Sequence, residues 1–105
     1  MVGAINGWAV GGGLEWVINC DFAIASEGTR FFFPEISWGL FVTGGVTELL
    51  PRLVGLQRAR EMILFGDRFD AAQAHDWGMI REVVPDGELM KKSTTLAKRL
   101  ATLPT

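Results

Sequence analysis

The chain predicts an α/β fold followed by a helical C-terminal region. Three observations lead there: short apolar, β-prone runs recur between helix-periodic stretches, the turn signals fall between them, and the last third carries leucines at helical spacing. At 105 residues, with 49% hydrophobic content and 13 glycines, the composition is that of one globular domain with a single core.

Val2 to Ile5 reads as a short buried strand. It leads through Asn6-Gly7 to Gly11-Gly12-Gly13, where a helix begins near Gly12 with Leu14, Val17 and Ile18 in phase. A sharp strand-to-helix turn leaves the first helical N–H groups unpaired, a setting that favours an anion, and glycines let a ligand oxygen approach the backbone. Taken alone, the three glycines fit equally a turn that only relieves crowding between strand and helix. Two acids bear on the choice: Glu15, one turn into the helix, and Glu35, in Phe33-Pro34-Glu35-Ile36-Ser37-Trp38-Gly39. Without further information, Glu15 would be a first-turn carboxylate favouring its helix dipole, and Glu35 a loop acid in solvent.

Phe22 to Ala25 is a second strand, and Phe31-Phe32-Phe33 a β-prone run stopped by Pro34. Thr43-Gly44-Gly45 can start a helix with Thr43 as N-cap, and Pro51 predicts a kink or break before a new helix from about Gln57 to Phe65, closed by Gly66. Asp70 and Gln73 have capping-box spacing for a short helix ending before Gly78. Met79 to Val84 is a strand, and Pro85-Asp86-Gly87 turns into a last helix striped by Leu89, Leu96, Leu100 and Leu103.

A net charge of −2 argues against a nucleic-acid partner. Lys91, Lys92, Lys98 and Arg99 read as the solvated face of the terminal helix, and His75 as a structural or surface residue. Cys20 is the single cysteine, which excludes an intrachain disulfide or cysteine metal site and fits a small buried hydrophobe in a reducing compartment. No signal peptide or membrane-spanning run is visible, so no membrane partner is expected and a cytoplasmic location is. Val2 to Ile5 reads as an interior strand with no earlier strand to pair with, which suggests a piece of a longer domain.

The string Ala4-Ile5-Asn6-Gly7-Trp8-Ala9-Val10-Gly11-Gly12-Gly13-Leu14-Glu15, then Cys20-Asp21, Ile24-Ala25-Ser26, Phe33-Pro34-Glu35 with Gly39, Gly44-Gly45 and Leu50-Pro51-Arg52-Leu53-Val54-Gly55, resembles the enoyl-CoA hydratase/isomerase (crotonase) family. Gly66, Asp70-Ala71, Ala74, Gly78-Met79-Ile80 and Val83-Val84-Pro85 extend the resemblance over nearly the whole chain. It implies a right-handed spiral of ββα turns, here partial over residues 1–66, with 67–105 as a helical region of the same domain. In the family such helices build trimers, often paired into hexamers.

The resemblance implies that Gly12 supplies one of two N–H donors to a thioester oxygen, the other lying upstream of this chain. Glu15 would activate water and Glu35 deliver a proton, in hydration of the Cα=Cβ bond of an enoyl-CoA. It implies a pocket formed by Gly11, Gly13, Trp8, Trp38 and Phe41, no metal, and no cofactor beyond the coenzyme A of the substrate. Double-bond isomerases of the family manage with one glutamate near the Glu35 position, and Ile36-Ser37-Trp38-Gly39 is also similar to hydroxycinnamoyl-CoA hydratase-lyases, which commonly lack an acid at the Glu15 position; both acids together favour a hydratase. Phe32, where a glycine or alanine is more usual, and Leu40-Phe41-Val42-Thr43, in place of a proline-containing loop, depart from the pattern and bear on acyl preference. The competing reading of another class is a truncated, non-catalytic remnant or assembly module.

Overall fold

Strand, strand and helix follow one another from the start of the chain. A computed structural model describes residues 1–34 and 45–104. Strand β1 (Val2–Ile5) and strand β2 (Trp8–Val10) lead into helix α1 (Gly12–Asn19), and β3 (Phe22–Ser26) and β4 (Arg30–Phe32) follow. Helices α2 (Val46–Val54) and α3 (Leu56–Phe65) come next, then β5 (Phe69–Asp70), α4 (Ala71–Asp76), β6 (Glu82–Val84), a 3₁₀ turn over Asp86–Glu88, and α5 (Leu89–Ala101).

The strands sort into two sheets. First strands of each step pair in parallel as β1-β3-β6, with Ala4 opposite Ile24 and Ala25 opposite Val83. Second strands form β2-β4-β5, parallel between β2 and β4 and antiparallel between β4 and β5. The chain moves from one sheet to the other at Ser26 to Thr29, where the fully buried Thr29 hydroxyl donates to the Ile5 carbonyl at 3.2 Å and lies 3.1 Å from the Ser26 hydroxyl. Both hydroxyls are thereby satisfied where burial would otherwise penalise them.

Strand alternation divides the core. Ala23 and Ala25 face the main cluster, with Leu14, Val17 and Ile18 of α1, Val46, Leu50 and Val54 of α2, and the rings of Phe31, Phe33 and Phe69. Ile24 faces the other way, where Val84, Leu89 and Leu96 of β6 and α5 cover it. A central parallel strand buried on both faces is the expected result.

Several expectations are corrected. Pro51 lies inside α2 without ending it. It removes a donor to the carbonyl of Thr47, an exposed residue that water can serve. The break falls instead at Gly55, whose φ of 89° and ψ of 156° leave the helical region. The third strand of the first sheet spans only Glu82–Val84, because the Met79 N–H is taken by the Ala74 carbonyl at the end of α4. Leu103 lies beyond the end of α5 and is exposed. Strand β1 is half-buried, with Ala4 exposed. The capping box of Asp70 and Gln73 is present in both directions, and Gly66 closes α3. Thr43, the expected N-cap, lies outside the described residues, and Gly45 precedes α2 as its N-cap.

Candidate active site

Helix α1 starts where the second sheet delivers it. The Gly11 N–H donates to the Phe32 carbonyl at 3.3 Å, tying the helix start to β4, and the Gly11 carbonyl accepts from the Glu15 N–H at 3.0 Å. Gly11 holds φ 55° and ψ −116°, a conformation that a Cβ opposes. A Cβ built on Gly12 or Gly13 meets nothing within 4 Å among the described residues, so neither glycine is crowded there. The N–H groups of that turn have no acceptor within the helix, and the macrodipole adds positive potential there. An oxygen that gains negative charge would be favoured at this place.

Glu15 stands three residues after Gly12, on the same stripe of the helix, and helical side chains lean toward the N-terminus. It is half-buried and lines a groove of about 350 Å³ with Met1, Trp16 and Asn19. Asn19, one turn further on, donates its amide to the Glu15 carbonyl at 2.8 Å. Trp16 is 71% exposed, so an indole face borders the acid. Asn19 and Met1 were not singled out from the sequence; the spacing of four between Glu15 and Asn19 is the signal that would have found the first.

Trp8 occupies a different depression, of about 300 Å³, with Arg30, Arg68, Phe69, Asp70 and Gln73. It shares no lining residue with the groove of Glu15. The Arg68 guanidinium lies 5.2 Å from the Trp8 ring and 5.3 Å from that of Phe32, and the two rings meet edge to face at 6.1 Å. Gly11, Gly12, Gly13 and Glu15 thus follow one another along the start of α1, the groove that Glu15 lines includes none of the three glycines, and Trp8 lines a different depression. Glu35, Trp38 and Phe41 lie outside the described residues.

Burial pushes the Cys20 thiol above its usual pKa, and its sulfur donates to the Trp16 carbonyl at 3.2 Å. His75 is exposed, 3.8 Å from Asp76. Among the described residues no group of three His, Cys, Asp or Glu could hold a metal ion, and no helix is long and apolar enough to cross a membrane.

Comparison with known proteins bears on this geometry. The family model for enoyl-CoA hydratase/isomerase matches residues 1–105. An enoyl-CoA isomerase/hydratase of Mycosarcoma maydis is 42% identical over 98 residues, covering 92% of this chain and 36% of the relative. A 1,2-epoxyphenylacetyl-CoA isomerase of Escherichia coli is 41% identical over 102 residues, covering 97% and 39%. The crystal structure of an enoyl-CoA hydratase subunit from Geobacillus kaustophilus superposes with a TM-score of 0.94 at 39% identity, over 99% of this chain and 40% of that one. The two-sheet arrangement with its helical C-terminal segment is therefore the crotonase fold. The chain spans well under half the length of each of these proteins.

Proposed function

The chain belongs to the enoyl-CoA hydratase/isomerase family, and on that premise we propose that the protein it represents adds water across the Cα=Cβ bond of an enoyl-CoA thioester. The observation that carries this reading is the start of α1 at Gly12, uncrowded among the described residues, with Glu15 three residues on along the same stripe.

The Gly12 N–H donates to the thioester oxygen and stabilises the charge that develops there when Cβ is attacked; one such donor is worth ~3 kcal/mol of barrier. Glu15 takes a proton from the water whose oxygen bonds to Cβ. Glu35, protonated, delivers its proton to Cα as the enolate collapses. Dehydration runs the same steps backwards. The chemistry is a redox-neutral addition, one C–O bond and one C–H bond formed across the C=C bond with two proton transfers, and calls for no metal or redox cofactor. An acyl-CoA is the partner it needs, and a homotrimer or hexamer is the assembly proposed for the whole protein.

The test is Glu15→Gln and Glu35→Gln in the full-length gene product, with hydration of a short enoyl-CoA followed by loss of the conjugated thioester absorbance. Each should lower kcat by about 10²-fold or more while leaving thioester binding in place. Normal turnover in both variants rejects the assignment. A second reading, double-bond isomerisation, is favoured by the Mycosarcoma maydis relative, whose name pairs enoyl-CoA isomerase with hydratase. Proton NMR of the product separates the two: hydration gives a 3-hydroxyacyl thioester, isomerisation a shifted alkene.

A further inference from the structure

The basic residues near the C-terminus do more than face solvent. Lys92 and Arg99, seven residues apart on α5, border a groove of about 160 Å³ whose other wall is Arg81, the residue before β6. Ile24 and Leu96 lie along the same groove and give it an apolar floor. The Arg81 backbone is anchored to β3, its N–H donating to the Ala23 carbonyl at 2.8 Å, and its guanidinium lies 5.7 Å from the Phe22 ring. Glu82 also borders the groove, yet among the described residues none of the three cations lies within ion-pairing distance of a carboxylate. A chain of net charge −2 thus gathers three cations against one carboxylate, Glu82, around one small groove, with no ion pair to any of the three among the described residues.

We propose that this groove between β6 and α5 binds a phosphoryl group, held by Arg81, Lys92 and Arg99 together. A planar guanidinium suits phosphate oxygens, and the apolar floor reduces competition from water. The proposal is independent of the site at Gly12 and Glu15, because α5 and β6 contribute no residue to it.

The experiment titrates inorganic pyrophosphate into the isotopically labelled full chain at about 20 mM salt, where screening is weak. Saturable NMR shifts are expected at Arg81, Lys92 and Arg99. Arg81→Gln and Arg99→Gln should each weaken binding by about three- to tenfold, whereas Lys98→Gln, on α5 outside the groove, should leave it unchanged. All are exposed positions, and circular dichroism verifies folding. A parallel arm sediments the protein with phosphatidylglycerol vesicles. Sedimentation displaced by pyrophosphate assigns the phosphoryl group to a lipid headgroup; saturation by pyrophosphate without sedimentation assigns it to a soluble ligand. Either supports the site. Non-saturable shifts, or binding undiminished in both arginine variants, overturn it.

Discussion

Gly12→Ala separates stability from function at one atom. Gly12 opens α1 outside the set of positive-φ glycines, and a methyl there meets nothing within 4 Å among the described residues. Alanine loses less conformational freedom on folding, so the substitution should stabilise by ~0.5–1 kcal/mol, with the low end expected at a helix terminus. For a domain of this size that corresponds to a Tm increase of ~2–8 °C. The same methyl enters the space assigned to the thioester oxygen. A displacement of the carbonyl by ~1 Å should lower turnover by ~10²-fold. Circular dichroism melts of the 105-residue chain give the first quantity, and kcat/KM of the full-length product on a short enoyl-CoA gives the second. A lower Tm would mean that the space over the helix start is not open. Unchanged turnover would place the thioester elsewhere and remove Gly12 from the chemistry.

Gly11→Ala should do the opposite to stability, because φ 55° with ψ −116° is a strained setting for a side chain; a loss of ~1–3 kcal/mol is expected in urea unfolding. Phe31→Ala removes a fully buried ring stacked on Phe69 at 5.2 Å and should destabilise by ~3–5 kcal/mol, read as a fall in the denaturation midpoint. Asp70→Ala breaks one half of the capping box, in which the carboxylate accepts from the Gln73 N–H at 2.8 Å, and should lower stability by ~1 kcal/mol with hydrogen exchange in α4 accelerating first.

How much of this was legible depended on how far each signal extended along the chain. Helix α1 showed itself through Leu14, Val17 and Ile18 at helical spacing after a glycine turn, and α4 through an acid and an amide three residues apart. Both signals are local. Strands β2 and β5 went unread because three and two residues cannot establish an alternation; they exist by pairing with β4, a tertiary condition. The cost of Pro51 depends on whether Thr47, whose carbonyl loses its helical donor, is exposed, and that exposure is a tertiary property no local signal carries. In the site, Gly12 and Glu15 were readable from one short stretch of sequence. Arg68 over Trp8 was not, since 60 residues separate them and only the sheet brings them together. The convergence of Arg81 with Lys92 and Arg99 was hidden for the same reason: α5 and the approach to β6 meet across β3.

The reversal of direction at β5 makes the second sheet polar as an assembly template. Its two residues run against β4 and offer an incoming strand little backbone to dock on. The opposite margin, along Trp8 to Val10, keeps the parallel sense of the pair it belongs to. Among the described residues, then, the parallel sense of the winding is kept along the Trp8 to Val10 flank and reversed by a single short pairing on the other.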